Sequence, residues 1–378
     1  MTQPPLRISI FGLSITSSWG NGHATTYRSL VKGLVQRGHH VVFHERRRPW
    51  YEANQDLRFS NLCEIVVYDS LAELNTMQDA VIQSDLVMIG SYVPEAVQLA
   101  EWALERTGAV TAFYDIDTPV TVAALKRGSC QYLTPALVPE FDLYLSFSGG
   151  PVVETLRHEF GARQAHPLYC SVDPEQYFPL QIPRLYDLGY LGTYSEDRQP
   201  KLNRLLCEAA RTWPGGRFCV AGSQYPASLH WPRNVNRIEH VPPIEHCRFY
   251  NSQRYTLNIT REDMVEKGFS PSVRLFEAAA CAVPVICDEW AGLEQFFTPD
   301  SEILIARTEA DVLAFLRNLT PEVAREIGAR AREKVLREHT SQHRAQDLET
   351  YVAACRATPA SPTEHPVRVT RATGAVLH

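Results

Sequence analysis

A chain of 378 residues with 44% hydrophobic and 21% charged side chains has the make-up of an ordinary globular protein, long enough for two domains. Its net charge of −6 argues against nucleic acid as the main partner, because neutralising phosphates needs a basic surface. The apolar run from Ile8 to Ile15 is too short to span a bilayer and no small-residue cleavage site follows it, so a cytoplasmic protein is expected.

In chain order, Arg7-Ile8-Ser9-Ile10-Phe11-Gly12 reads as a strand, followed by a glycine-rich loop, Ser17 to His23. A helix is predicted from Ala24 to Arg37, with Leu30, Val31, Leu34 and Val35 at helical spacing and Gly38 as its stop. His40 to Phe43 returns as a strand and completes a βαβ unit. Asp85 to Gly90, Val110 to Tyr114 and Phe141 to Phe147 are further apolar strands. Short apolar strands alternating with helices imply an α/β fold with a doubly wound parallel sheet. The pattern breaks at Leu168 to Pro179, where prolines and turn formers mark a crossing between domains. A second series then begins, with strands at Tyr186 to Gly192, Arg217 to Gly222, Tyr255 to Ile259 and Pro284 to Cys287. Helices are predicted over Ala310 to Asn318, Pro321 to Glu338 and Ser341 to Cys355. The expected organisation is two Rossmann-like domains facing a cleft, residues 1–175 and 176–356. The last helix could cross back to the first domain, and the Pro/Thr/Arg-rich residues 357–378 form a disordered tail.

The most informative stretch is Ser270-Pro271-Ser272-Val273-Arg274-Leu275-Phe276-Glu277, followed by Ala278 to Pro284. Ser270 suits an N-cap and Pro271 the first helical position, where a missing N–H is harmless. The free amides of Ser272 and Val273 would then face a phosphate at the positive end of the helix dipole. Glu277 sits further along among Phe276 and alanines, where a carboxylate needs a hydrogen-bonding partner. Amides for a diphosphate and a carboxylate for ribose hydroxyls together describe a sugar-nucleotide site. The competing reading pairs Glu277 with Arg274, three residues back on the same face.

Other residues carry weaker signals. Arg198 and Lys201 follow the loop Gly192-Thr193-Tyr194-Ser195 and could neutralise a leaving diphosphate; for Lys201 an exposed first-turn cation is the preferred reading. Asp115-Ile116-Asp117 looks like a metal-binding pair, yet alternation along a strand points the two side chains to opposite faces. Asp117 is expected to face the cleft as an acceptor-binding or proton-handling group, or else to cap a helix. Arg46-Arg47-Arg48-Pro49-Trp50-Tyr51 reads as a solvated loop, with contact to an anionic acceptor or a membrane surface as the alternative. Gly20-Asn21-Gly22-His23 lies too far from Gly12 to be a dinucleotide fingerprint. Nine cysteines without a Cys-x-x-Cys pair read as buried thiols, and His246-Cys247 has no second pair to complete a zinc site, so no metal is expected.

With those residues in place, the chain resembles GT-B glycosyltransferases, and most closely the CgeB-like branch related to glycosyltransferase family 4. The resemblance is strongest over residues 185–350. It is carried by Gly189 to Ser195, by Leu257 to Ile259, by Glu277 to Cys281, by Asp288 to Glu294 and by His339-Thr340 with His343-Arg344. Val172-Asp173 with Tyr177 to Pro179 is similar to the interdomain linker, and Arg37 to Val41 to the first helix–strand turn.

The resemblance implies a glycosyltransferase that moves a sugar from a nucleoside diphosphate to an acceptor hydroxyl, with retention and without a metal or other cofactor. Read from the residues themselves, the catalytic candidates are Asp117, Arg198 and Arg274. Donor-binding candidates are Gly20, Asn21 and Gly22 across the cleft, Thr193 and Tyr194, Gly222-Ser223 and His240-Val241 at strand ends, and Pro271, Ser272, Val273 and Glu277. One departure stands out: many relatives carry a glutamate eight residues before the helix carboxylate, contacting the donor sugar, and this chain has Phe269. A catalytically silent nucleotide-sugar or glycan-binding protein on the same scaffold is therefore the alternative. The acceptor is left open, membrane contact is allowed without integral insertion, and a nicotinamide-dependent oxidoreductase is a third reading.

Overall fold

The computed structural model describes residues 4–20, 22–57 and 62–357. The expectation of a disordered tail therefore falls almost wholly outside the described residues, and so does Asn21.

The first seven strands are β1 (Arg7–Gly12), β2 (His40–Arg46), β3 (Glu64–Tyr68), β4 (Leu86–Gly90), β5 (Val110–Asp115), β6 (Leu143–Ser146) and β7 (Ala165–Pro167). They form one sheet in the order β3-β2-β1-β4-β5-β6-β7, and each pairing is parallel. The next six are β8 (Tyr186–Leu191), β9 (Phe218–Ala221), β10 (Val235–Ile238), β11 (Gln253–Asn258), β12 (Val285–Cys287) and β13 (Leu304–Ile305). Their sheet, β10-β9-β8-β11-β12-β13, is also parallel throughout. Parallel strands are covered on both faces, which is why every residue of β4, an apolar run, and of β5, apolar but for Thr111 and Asp115, is buried.

Strand order reverses between β1 and β4 in one sheet and between β8 and β11 in the other. Crevices open outside the carboxyl ends of strands at such switch points, and here the two face each other. The chain crosses between the domains twice, side by side, where Val172 bridges Thr340. The final helix, Ser341–Ala357, lies on the first domain: Arg37 and His39 bind Glu349, and Arg356 reaches Asp85 at 2.6 Å. One apolar cluster runs from β1 and β4 through Leu168, Cys170, Val172 and Tyr177 into the helix Val273–Ala280, so the domains share a continuous core.

The predicted strands recur within one to three residues at each end. The sequence reading gives β10 only as a strand end near His240-Val241 and passes over β3, β7 and β13. These are edge strands of five, three and two residues, too short or too half-exposed to carry a period. The helix expected to open at Ser270 and Pro271 instead begins at Val273, with Ser272 at the N-cap. Tertiary contacts explain the delay. The Gly149 N–H donates to the Phe269 carbonyl at 3.0 Å and the Ser148 and Ser270 hydroxyls meet at 2.5 Å, tying this segment to the first domain. The nine cysteines are all free thiols. Among the described residues, no helix is long and apolar enough to cross a membrane.

Candidate active site

Loops at the carboxyl ends of β1, β4 and β5 in the first domain face those after β8, β9, β10 and β11 in the second, across a cleft of about 720 Å³. Its floor on the second domain is the start of the helix Val273–Ala280. Ser272 and Val273 line it there, and the first amides of a helix have no intrahelical acceptor. The Ser272 hydroxyl does not cap the helix; it donates to Asn258 Oδ1 at 2.7 Å, leaving the amide end of the helix to whatever occupies the cleft.

Two half-buried arginines flank that helix start. Arg274 donates from Nη1 to the Leu191 carbonyl at 3.0 Å and from Nη2 to the Ile259 carbonyl at 3.3 Å, while its Nε has no partner. Arg198 donates from Nη2 to the Thr193 carbonyl at 2.7 Å, and its Nε is likewise unpartnered. Burial pulls the Arg198 guanidinium below its ordinary value, with Arg274 adding to the effect. Among the described residues, neither has a carboxylate within ion-pair distance. Two partly desolvated cations whose hydrogen bonds go to carbonyl oxygens, Arg274 also lying over the Tyr190 ring at 5.6 Å, form beside a helix amino end a site for a polyanion. Lys201, expected to be exposed, is instead tied to Asp288 at 3.2 Å and Glu262 at 3.5 Å and lies outside the cleft lining.

Glu277 is 2% exposed at the cleft wall. The alternative in which Arg274 pairs with it does not occur. Tyr177 donates to Oε1 and Tyr250 to Oε2, each at 2.8 Å, and His246 Nδ1 stands 4.0 Å away. His246 in turn approaches the Val241 carbonyl with Nε2 at 3.1 Å, fixing the backbone that lines the cleft at His240-Val241. His240 itself is exposed and tilts against Trp19 of the first domain, 5.5 Å between ring centres.

Backbone approach shapes the rest of this wall. Gly222 has φ +146, and any β-carbon there would run into the Gly192 carbonyl, so β8 and β9 can close their loops together only with glycine at this point. Gly222, Ser223 and Thr193 line the cleft as a result. Tyr194 and Pro271 do not. Tyr194 turns away to meet the Tyr225 ring at 5.6 Å, and the Pro271 carbonyl accepts from the Cys170 thiol.

The first domain contributes Gly20, Gly22 and Asp117 to the cleft, together with His23 and Tyr92, which the sequence reading did not single out. Asp115 and Asp117 do point apart. Asp115 is buried behind β5, accepting from Tyr144 and Thr121 at 2.7 Å each, and burial pushes its carboxyl up to about 6. Asp117 occupies an N-cap position without making the cap hydrogen bond and faces the cleft. His23 Nε2 and Arg261 Nη1 each stand 3.9 Å from its oxygens. Burial alone would raise the Asp117 carboxyl, but His23, Arg261 and Tyr92 outweigh it and hold the group below the usual range, hence ionised. Tyr92 has φ +62, a strained backbone for an aromatic residue, at the switch-point end of β4. Left-handed backbone in a bulky residue leaves no sequence signature; Arg261, three residues past the end of β11, carries one, a cation just beyond the carboxyl end of a strand.

Arg46, Arg47 and Arg48 form no free basic patch. Arg46 approaches Glu95 at 3.6 Å, Arg47 pairs with Glu52 and Asp69, and Arg48 lies over Trp50. Among the described residues, no group of three or more His, Cys, Asp or Glu side chains is arranged to hold a metal ion.

Residues 198–350 match a sequence family described as glycosyl transferase-like. No curated protein sequence matches the chain. Among solved structures, sucrose-phosphate synthase from Thermosynechococcus elongatus superposes with a TM-score of 0.66 at 14% identity, covering 93% of this chain and 100% of that one. Anabaena HepE, solved in complex with UDP and glucose, gives 0.69 at 12% identity over 92% of this chain and all of its own. A glycosyltransferase from Rickettsia africae gives 0.62 at 12% identity over 94% of this chain and all of its own. The common feature is the GT-B arrangement, two Rossmann-like domains with parallel sheets facing a cleft.

Proposed function

We propose that this GT-B chain transfers a sugar from a nucleoside diphosphate to an acceptor hydroxyl. One observation carries the reading: the amino end of the helix Val273–Ala280 and the guanidinium groups of Arg198 and Arg274, which lack carboxylate partners, converge on the cleft. Departure of the diphosphate develops negative charge there, and donors already aimed at that place stabilise it without reorganising. Glu277 accepts hydrogen bonds from the ribose. As the bond from the anomeric carbon to phosphate breaks, the acceptor oxygen bonds to that carbon and its proton passes to the departing phosphate oxygen. No strong protein base or metal is required, and the leaving and entering groups share a face, so configuration is retained. Asp117, ionised and opposite the diphosphate site, orients the acceptor hydroxyl or the sugar. Residues on the first domain serve the acceptor and those on the second the donor, in a cytoplasmic setting. Closing the cleft excludes water, which would otherwise hydrolyse the donor.

HepE is described with UDP and glucose, which makes uridine diphosphate sugars the first donors to test. Thermal shift of the purified chain with uridine, guanosine, adenosine and thymidine diphosphates and their sugars should show stabilisation by one base, and Glu277→Ala should abolish it. No shift with any of them would sink the proposal. Phe269 motivates the second reading, a silent binding module: its ring packs between Gly150 and Gly292, outside the cleft lining. Tight binding with no donor turnover, with or without acceptors, would favour that reading.

A further inference from the structure

We propose that Tyr177 and Tyr250 are positioning residues for the ribose of the bound nucleotide, acting through Glu277. The inference rests on the nucleotide-sugar reading and adds to it two residues that need not touch the ligand. A carboxylate offers about four acceptor sites, and Tyr177 and Tyr250 occupy one on each oxygen. The remaining lone pairs are fixed in direction, because both phenol rings are fully buried and cannot follow the carboxylate if it turns. Each hydroxyl is kept protonated, by burial first and by the Glu277 charge second, so each can only donate to the carboxylate.

Without those donors Glu277 has somewhere else to go. A side cavity of about 180 Å³ lies on its other flank, bounded by Arg28, Lys32, Asp173 and Tyr177, and Glu277 is part of both walls. Arg28, paired with Asp56, and Lys32, paired with Asp173 and Glu175, give that cavity a polar wall, and a carboxylate turned towards it would point its oxygens away from the nucleotide cleft. The tyrosine pair therefore decides which of two cavities the carboxylate serves.

The two tyrosines come from different parts of the molecule. Tyr250 belongs to the helix Pro243–Asn251 of the second domain. Tyr177 sits on the interdomain linker, its N–H donating to the Asp173 carbonyl at 3.0 Å, while the Asp173 side chain holds Lys32 of the first domain at 2.6 Å. The ribose contact is thus referenced to both domains, with one of its supports on the linker between them.

The test is calorimetric titration of the full chain with UDP, GDP and ADP, each beside its 2′,3′-dideoxy counterpart. The wild-type protein is expected to prefer the ribonucleotide of its own base about tenfold or more, the effect of losing hydrogen bonds to a charged group. Tyr177→Phe and Tyr250→Phe should each lower ribonucleotide affinity, leave the dideoxy form nearly unchanged, and bring the ratio towards one. A purely structural role would weaken both ligands alike and keep the ratio. Folded variants that retain the wild-type ratio overturn the proposal; if Tyr250→Phe does not fold, Tyr177→Phe decides it. Wild-type binding with a ratio near one removes the Glu277–ribose contact and this proposal with it, while leaving the diphosphate site standing. Absence of wild-type binding to all three nucleotides and to thymidine diphosphate removes both.

Discussion

Arg198 and Arg274 illustrate how a half-buried cation reveals its missing partner. A guanidinium satisfied only by carbonyl oxygens, with Nε unpartnered, has lost hydration without gaining a counter-charge. An arriving diphosphate restores the balance. Arg274→Ala should accordingly weaken nucleoside diphosphate binding by about ten- to a hundredfold while leaving the bare nucleoside little affected, as titration with the two ligands would report. Arg274→Lys should recover only part of the loss, because one ammonium cannot span the Leu191 and Ile259 carbonyls and a phosphate together. Asp117 makes a separate prediction. Asp117→Asn should leave nucleotide affinity unchanged and slow sugar transfer by about tenfold or more, measured as product formed per enzyme at saturating donor. An equal loss in donor binding would place Asp117 with the diphosphate rather than with the reacting group.

The segment before the helix Val273–Ala280 is held by shape rather than by charge. Phe269 adopts φ +52 and wedges between Gly150 and Gly292, both themselves at positive φ, so a side chain at either glycine meets the ring. Gly150 lies in the first domain and Gly292 in the second, which makes this contact a fixed point between them. Gly292→Ala combines a steric clash with a strained backbone and should destabilise the fold by about 1–3 kcal/mol in urea unfolding. Adding Phe269→Ala should recover the clash component and leave the backbone component. Local pattern foretold much at this scale. A continuous apolar run marks β4 and mainly apolar, mostly buried stretches mark β1 and β5, and Thr320-Pro321 opens a helix where a capping threonine and a first-position proline are expected. The same rule misplaced the start of the helix that matters most. Ser270-Pro271 carries an equally good opening signal, and the Ser270 bond to Ser148, with the Gly149 N–H bond to the Phe269 carbonyl, overrides it.

At the scale of the whole molecule the two domains are joined by one continuous core and by the last helix, which returns to the first domain through Glu349. Arg37 donates to both of its oxygens, and His39, whose Nδ1 accepts the Leu6 N–H, donates from Nε2 to Oε1 at 2.7 Å. The Arg37 hydrogen bonds chiefly, with His39 adding and burial opposing, hold the Glu349 carboxyl below its usual range. A depressed folded-state value means stability present above about pH 4.3, the unfolded value, and lost as pH falls through the folded one. Glu349→Gln should therefore be less stable than wild type by about 1–3 kcal/mol near pH 7, with the gap closing on acidification below about pH 4, as melts across a pH series would show. Read alone, the chain already determined the doubled alternation of strand and helix and the run from Ser270 to Glu277, because both are written in spacings of a few residues that set local backbone and burial. Only the tertiary structure decided who faces whom. Tyr177 and Tyr250 reach Glu277 from 100 and 27 residues away, and Asp117 meets Arg261 across the cleft. Such pairings follow from sheet order and domain approach, which bring distant strand ends to one crevice, and no local periodicity encodes them.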